Sequence, residues 1–310
     1  MKRLIALMAL LGTLTACSAP AEPAATEQKE TPAAEESVTA EPPASLDDKA
    51  TFSAAAPEKL TYSVTLETLE DTSEAGDGTV LIHRTYTLPV ISVETADGTA
   101  VTEASTPAET EALTVAQTFN DQFRAWAASD GADEMAAGAE EDRAFRAESG
   151  LEWHPYELEL DCSLYQTEEL ISVQAEYYSY TGGAHPNTVL LAWNYDLTTG
   201  QFLTPEQLAA DGQAFSEAVR AELLRQSQET AADNDMEPEE YFWSNYEEIL
   251  AGWSSYAVSF DETGMTVGFS PFELAAYAAG PQIYHLPYET FAGYLSIHGL
   301  AMLGLAAAEK

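Results

Sequence analysis

The 310-residue chain carries 52 Asp and Glu against 12 Lys and Arg, a net charge of −40. A surface of that sign repels phosphate backbones and excludes nucleic acid as a partner. With 45% hydrophobic and 10% aromatic residues the chain is too apolar for a wholly disordered acidic tail, and its length suits one large domain or two ordinary ones.

Met1, Lys2 and Arg3 form a cationic start, and Leu4–Leu14 is an uncharged apolar run, the design of a secretory signal. The run has 11 residues, short of the roughly 20 that span a bilayer as a helix. Leu14, Thr15, Ala16 and Cys17 match the bacterial lipobox, in which a hydrophobic residue and two small ones precede a cysteine that is diacylated before cleavage. Residues 1–16 are therefore expected to be removed, leaving about 294 residues with a net charge of −42 once Lys2 and Arg3 are gone. Cys17 is the expected lipidation site, which makes the membrane a partner through the lipid anchor. The expected location is the extracytoplasmic face of the cell membrane or outer membrane. Residues 17–57 comprise this cysteine and a tether rich in Pro, Ala, Glu, Thr and Ser, in which Val38, Leu46 and Phe52 are the large apolar residues. Such a composition cannot offset the entropy of ordering, so an acidic, disordered spacer is expected.

From Lys59 the period changes. Leu60, Tyr62, Val64 and Leu66 alternate with polar residues, and Val80–Val93 repeats the pattern after an acidic, Gly-containing turn, which predicts an antiparallel strand pair. Pro89 places an edge or bulge in the second strand. Leu113, Ala116, Phe119, Phe123 and Trp126 recur at helical spacing in a helix starting near Thr106 and Pro107, and Asp133–Ser149 is a more polar helix. An antiparallel meander follows over Trp153–Tyr165, Leu170–Tyr180 and Thr188–Asp196. Cys162 falls on the apolar face of its strand among Leu158, Leu160 and Leu164, the place of an inert core residue, and once Cys17 is acylated it has no disulfide partner.

Thr204, Pro205 and Gln207 supply an N-cap, a first-turn proline and a capping-box partner for a helix reaching about Thr230. Pro238 starts another helix, reaching Leu250. Short strands are predicted at Tyr256–Phe260, Met265–Phe269 and Ile283–Leu286, then a last helix from Pro287 through Tyr294. The order is α+β, with antiparallel sheets, inserted helices and two lobes. The expected divisions are residues 58–200 for an N-terminal lobe, 201–296 for a C-terminal lobe and 297–310 for an apolar tail that docks on the domain.

The loop Thr181–Asn187 joins two strands. Gly182 and Gly183 can supply positive φ, and Pro186 extends the path through His185, so a tight connection accounts for these residues. The same loop, flanked by Tyr178 and Tyr180, is also the leading candidate for binding, because loops on a rigid sheet commonly carry it. Catalysis by His185 would require an oriented carboxylate and a nucleophile, and the sequence selects none. Histidines at 83, 154, 185, 285 and 298 show no metal spacing. The acids Asp233, Asp235, Glu237, Glu239 and Glu240 lack the order of a calcium loop and read as a solvated helix start. Among the dense aromatics Tyr241–Tyr256, Trp243 and Trp253 are candidates for an exposed platform. No cofactor and no metal are expected.

Several stretches resemble a known family. They are Tyr178-Ser179-Tyr180-Thr181-Gly182-Gly183-Ala184-His185-Pro186-Asn187, Trp193-Asn194-Tyr195-Asp196-Leu197-Thr198-Thr199-Gly200 with Leu203-Thr204, and Phe269-Ser270-Pro271-Phe272-Glu273-Leu274-Ala275-Ala276-Tyr277-Ala278-Ala279-Gly280-Pro281 with Leu286-Pro287-Tyr288. They are similar to the RsiV-like extracytoplasmic domain family, domain of unknown function 3298 with a 4163-like N-terminal part. The resemblance covers roughly Leu60–Tyr294 and is specific between Tyr178 and Pro287. That family includes an anti-sigma-factor ectodomain that is a receptor for lysozyme, and the noncatalytic module of a peptidoglycan deacetylase. A lipobox and tether stand where the anti-sigma segment would be, the Asp-Asp pair Asp47-Asp48 lies in that tether, and no His-x-x-x-His set is present, so neither the anti-sigma role nor deacetylase chemistry is implied here. What the resemblance implies is the fold and envelope-ligand binding. The expectation is a noncatalytic, lipid-anchored module for a basic envelope-acting protein such as lysozyme, or for a peptidoglycan-related ligand. A peptidoglycan-acting hydrolase and a passive envelope assembly protein are the alternatives. The expected contact residues are Tyr178, Tyr180, Gly182, Gly183, His185, Asn187, Pro271, Tyr277 and Pro281.

Overall fold

A computed structural model describes residues 59–305. The export signal, Cys17 and the tether lie outside the described residues, as does the tail beyond Leu305. Six strands form one sheet in sequence order: β1 (Thr61–Glu74), β2 (Val80–Glu94), β3 (Tyr156–Gln166), β4 (Leu170–Tyr180), β5 (Asn187–Asp196) and β6 (Gln201–Leu203). Three more, β7 (Ala257–Phe260), β8 (Gly264–Phe269) and β9 (Gln282–Pro287), form a second sheet. The fold is thus α+β with mainly antiparallel pairing. One pair departs from the expectation: β3 runs parallel to β2, with Ile82 opposite Tyr156 and Tyr86 opposite Leu160. The intervening helices α1 (Pro107–Ala128) and α2 (Ala132–Ser149) are the reason, because they form the long crossover that parallel strands need.

α1 opens on a reciprocal capping box between Thr106 and Glu109, with Pro107 in its first turn. Its buried stripe, Ala112, Val115, Ala116, Phe119, Phe123 and Ala127, faces the apolar side of β2–β5, where Tyr86, Leu158, Leu160, Cys162, Val173 and Tyr195 are buried. Tyr195 donates its hydroxyl to the Val115 carbonyl at 2.7 Å and meets Phe119 edge-on, which fixes the helix along the sheet. Burial pushes the Cys162 thiol up to about 12, as a desolvated core cysteine requires.

The second core belongs to the smaller sheet and α3 (Gly212–Asp233), whose Phe215, Val219, Leu223 and Ala231 are buried against Met265, Val267, Phe269 and Tyr284. The two sheets meet through polar groups at the free edge of β7. Ser172 accepts from the Phe260 backbone N–H at 2.8 Å and donates to Asn194 Oδ1 at 2.8 Å, while Asn194 Nδ2 donates to the Val258 carbonyl at 2.8 Å. An edge strand buried in this way needs such partners, since its backbone groups would otherwise be orphaned.

Two expected helices are broken in the structure. The Thr204 capping box forms, but it heads only a 3-10 turn, Pro205–Leu208. Ala209 then turns extended to pair with Leu295, and Asp211 caps α3 afresh by accepting from Gln213 and Ala214. The helix from Pro238 stops after α4 (Pro238–Tyr241) because Phe242 pairs with Ala275 and the Trp243 N–H bonds the Leu274 carbonyl. The chain coils again as α5 (Tyr246–Ala251). In both places a tertiary backbone pairing wins over local propensity. After α6 (Tyr288–Phe291) comes an unanticipated short helix, α7 (Ile297–Met302). It seats Met302 and Leu303 in the core, with the Thr167 and Tyr165 hydroxyls donating to their carbonyls at 2.6 and 3.3 Å.

Candidate functional site

The β4–β5 loop and the β8–β9 segment meet at one end of the large sheet. β5 pairs with the three-residue β6 only from Asn194 onward, which leaves the β5 edge at Leu190 open. Ser270 fills it, its hydroxyl accepting from the Leu190 N–H at 3.1 Å. From there the segment 270–281 runs beside the loop 181–187. Tyr277 stacks on His185 with centroids 4.0 Å apart and planes at 27°, and its hydroxyl donates to the Pro186 carbonyl at 2.8 Å.

The loop is held from its other side as well. Gly182 has φ +76°, and a Cβ there would stand 2.8 Å from Arg146 Nη2. That guanidinium donates to the Gly182 carbonyl at 3.2 Å and pairs with Asp142 at 2.7 Å. Gly183 has no positive φ; its carbonyl accepts from the Tyr180 hydroxyl at 3.1 Å. Gly182 is therefore the position that needs glycine.

Phe272 is the residue the sequence did not single out. It adopts φ +74°, uncommon for a bulky side chain, and remains 56% exposed. Trp243, itself 38% exposed, donates its indole N–H to the Phe272 carbonyl at 2.9 Å, and the Phe272 ring lies 5.3 Å from that of Tyr277. The Glu273 carboxylate accepts from the Ser270 N–H at 2.5 Å, and burial raises its pKa against that hydrogen bond. A left-handed aromatic held by its neighbours and turned outward is backbone strain of the kind that collects at binding sites. No sequence pattern announces it, since nothing distinguishes Phe272 from a core aromatic before the backbone is known.

Of the candidate contacts, His185 and Tyr277 touch, Tyr180 and Gly182–Gly183 shape the loop, and Pro271 precedes Phe272 in the same segment. Tyr178 lies one pleat along β4, opposite Glu159, and Tyr180 lies opposite Glu157. Partial loss of water raises the Tyr178 pKa, and Glu157, Glu159, Tyr180 and Tyr277 add to the effect, so this tyrosine joins the aromatics to the acids. Asn187 is exposed at the head of β5, opposite Ser179, and Pro281 is exposed before β9. Trp253 is fully buried and donates to Ser216 at 3.2 Å, whereas Trp243 is at the surface.

The sheet face beside the stack is acidic. Glu157, Glu159 and Asp161 point away from α1 and are exposed, and Asp161 stands directly opposite Glu176. Like charges in register destabilise a sheet, so this arrangement is costly unless a cation covers it. The His185 Nδ1 lies 2.9 Å from the Pro186 carbonyl. Among the described residues no group of three or more His, Cys, Asp or Glu is placed to hold a metal ion.

A family model described as Deacetylase PdaC matches residues 99–188, which include α1, α2, β3, β4 and the whole loop 181–187. No curated protein matches the chain. Among solved structures, a member of the DUF3298 family from Bacteroides fragilis NCTC 9343 is similar with a TM-score of 0.52 and 14% identity, covering 79% of this chain and 98% of that one. A DUF3298 family protein from Pseudomonas aeruginosa PAO1 has a TM-score of 0.42 and 15% identity, covering 78% and 97%. The likeness to the Bacteroides fragilis protein is one of fold, and at that level the resemblance carried by Tyr178–Asn187 and Phe269–Pro281 holds.

Proposed function

We propose that this chain is a lipid-anchored, noncatalytic binding module of the bacterial envelope that docks a basic muramidase on the platform Phe272, Tyr277 and His185. The observation that carries the reading is Phe272: a large ring exposed at φ +74° beside a stacked pair, with Glu157 and Glu159 next to Tyr178 at its border. Aromatic rings bordered by carboxylates suit lysine and arginine side chains, which gain from both the ring face and the charge. The net charge of −40 adds an extended field that speeds encounter with cationic proteins.

Support for a noncatalytic role comes from His185. Its ring is stacked on Tyr277, its Nδ1 faces the Pro186 carbonyl, and among the described residues no carboxylate pairs with it to orient it as a base. The deacetylase named by the family model is therefore not carried over to this chain. No described helix is long and apolar enough to cross a membrane; anchoring rests on the lipobox at Cys17. Pull-down of a basic muramidase with the chain and with its Phe272→Ala and His185→Ala variants tests the reading, with muropeptide release assayed in parallel. Capture lost in both variants, without muropeptide release, is the expected result. Release by the wild type, lost in His185→Ala, would instead make it a hydrolase.

A further inference from the structure

Four sheet edges are closed by side chains. Asn120 on α1 both donates to the Ile91 carbonyl and accepts from the Ile91 N–H, terminating the part of β2 that β3 does not reach. Ser270 closes β5, Ser172 and Asn194 close β7, and Gln226 donates to the His285 carbonyl on β9. The outer edge of β1 is treated differently.

β1 is 14 residues long and pairs with β2 from Thr61 opposite Glu94 to Ser73 opposite Ile82. Ile91 directs its backbone groups to Asn120, so the odd residues of β2 face away from β1. Antiparallel geometry then turns the even residues of β1 outward. Tyr62 agrees, its carbonyl accepting from Gln166 Nε2 at 2.9 Å, and the Thr72 N–H is taken by Asp71 at 2.9 Å. Between these ends the backbone groups of Val64, Leu66, Thr68 and Glu70 have no backbone partner among the described residues.

The side chains state what could pair there. β1 contains Glu67, Glu70, Asp71 and Glu74 and no lysine or arginine. Glu67, Leu69 and Asp71 project on the side of α1, where they rim a cleft of about 600 Å³ walled by Leu88, Pro89 and Phe123. Leu69 is 41% exposed in that rim. Arg84, opposite Asp71 on β2, is already engaged by Asp71 and Asp130. A second copy of this chain is a poor occupant, because edge-to-edge pairing would set acids against acids. A basic strand satisfies both the backbone and the charge.

We propose that the outer edge of β1 is a docking site for an extended, basic protein segment that joins the sheet as an additional strand. Side chains two apart share a face, so the segment that fits places basic residues opposite Glu67 and Asp71 and an apolar one opposite Leu69. Its pattern is basic-x-apolar-x-basic. The site uses none of the platform residues and stands or falls separately from them.

A peptide with the core Lys-Thr-Val-Thr-Lys, titrated into the full chain beside a scrambled peptide of equal charge, tests the proposal. Hydrogen exchange should slow at the amides of Val64, Leu66, Thr68 and Glu70 when the ordered peptide binds. Leu66→Pro removes one outward donor at a position opposite Pro89, where the β1–β2 ladder has no bond to lose. It and Glu67→Lys should each weaken binding about tenfold, a difference of ~1.4 kcal/mol, while leaving the melting temperature of the chain unchanged. Equal affinity for the scrambled peptide, protection elsewhere, or undiminished binding in both variants would overturn the proposal. So would a dimer of the chain alone that Leu66→Pro dissociates.

Discussion

Tyr277 and His185 are 92 positions apart in sequence, yet their rings stack at 4.0 Å and the tyrosine hydroxyl reaches past the histidine to the Pro186 carbonyl. That pair joins the β4–β5 loop to the segment after β8. It follows that each half of the platform is ordered by the other, and that Phe272, 5.3 Å from Tyr277, is aimed by the same contact.

Removing only the hydroxyl separates these roles. Tyr277→Phe keeps the stack and loses one hydrogen bond, at a cost of about 1 kcal/mol. Tyr277→Ala loses both and should release the loop, seen as faster amide exchange over residues 181–187 with the remaining core unchanged. Equal exchange in the two variants would mean that the stack does not order the loop.

The joint between the sheets is a buried polar network. Asn194→Ala leaves the Val258 carbonyl without its donor and Ser172 without its acceptor in a buried setting. A loss of about 2 kcal/mol or more in urea unfolding is expected, from the cost of orphaned buried groups. A change within 0.5 kcal/mol, about the range of ordinary surface substitutions, would contradict the role given to this joint.

Glu273 sets a pH dependence. Burial raises its folded pKa above the ordinary carboxylate value of 4.5, so the folded chain holds this proton more tightly than the unfolded chain does. Its contribution to stability is full below the unfolded pKa and is lost as pH rises through the folded one. Glu273→Gln keeps an acceptor for the Ser270 N–H and removes the titration. The variant should show a smaller decline in stability above pH 4.5 than the wild type. An unchanged pH profile would remove Glu273 from the account.

Cys162 should be unreactive in the folded chain, since its thiol is buried and pushed up to about 12. Iodoacetamide at mildly alkaline pH should label it only after denaturation. Fast labelling of the native protein would show that β3 opens.

The alternating runs at Tyr156–Cys162 and Val189–Tyr195 and the helical stripe from Leu113 to Trp126 made most elements legible, because burial on one face imposes a period. The breaks at Ala209 and Phe242 were not legible: each is forced by a pairing partner, Leu295 or Ala275, far along the chain. The parallel placement of β3 against β2 was hidden for the same reason, as periodicity names a strand but not its neighbour. At the platform, the Gly182–His185 loop and Tyr277 carried recognisable signals in glycine, proline and family resemblance. Phe272 stands in the same resembling stretch, yet nothing there marked it as exposed, since its left-handed backbone and the Trp243 bond to its carbonyl belong to the tertiary fold.

The central claim is specific docking of a basic muramidase on the platform. Its most direct test is a titration of the chain with such a muramidase at about 150 mM salt, where exposed charges are screened beyond ~8 Å. Wild type, Phe272→Ala and a version with Glu157→Gln and Glu159→Gln are compared. The account predicts binding that weakens with salt but persists, falls about tenfold or more in Phe272→Ala, as loss of an aromatic anchor does, and falls less in the double variant. Binding that disappears at that salt, or that Phe272→Ala leaves untouched, would contradict it and leave only generic attraction between opposite charges.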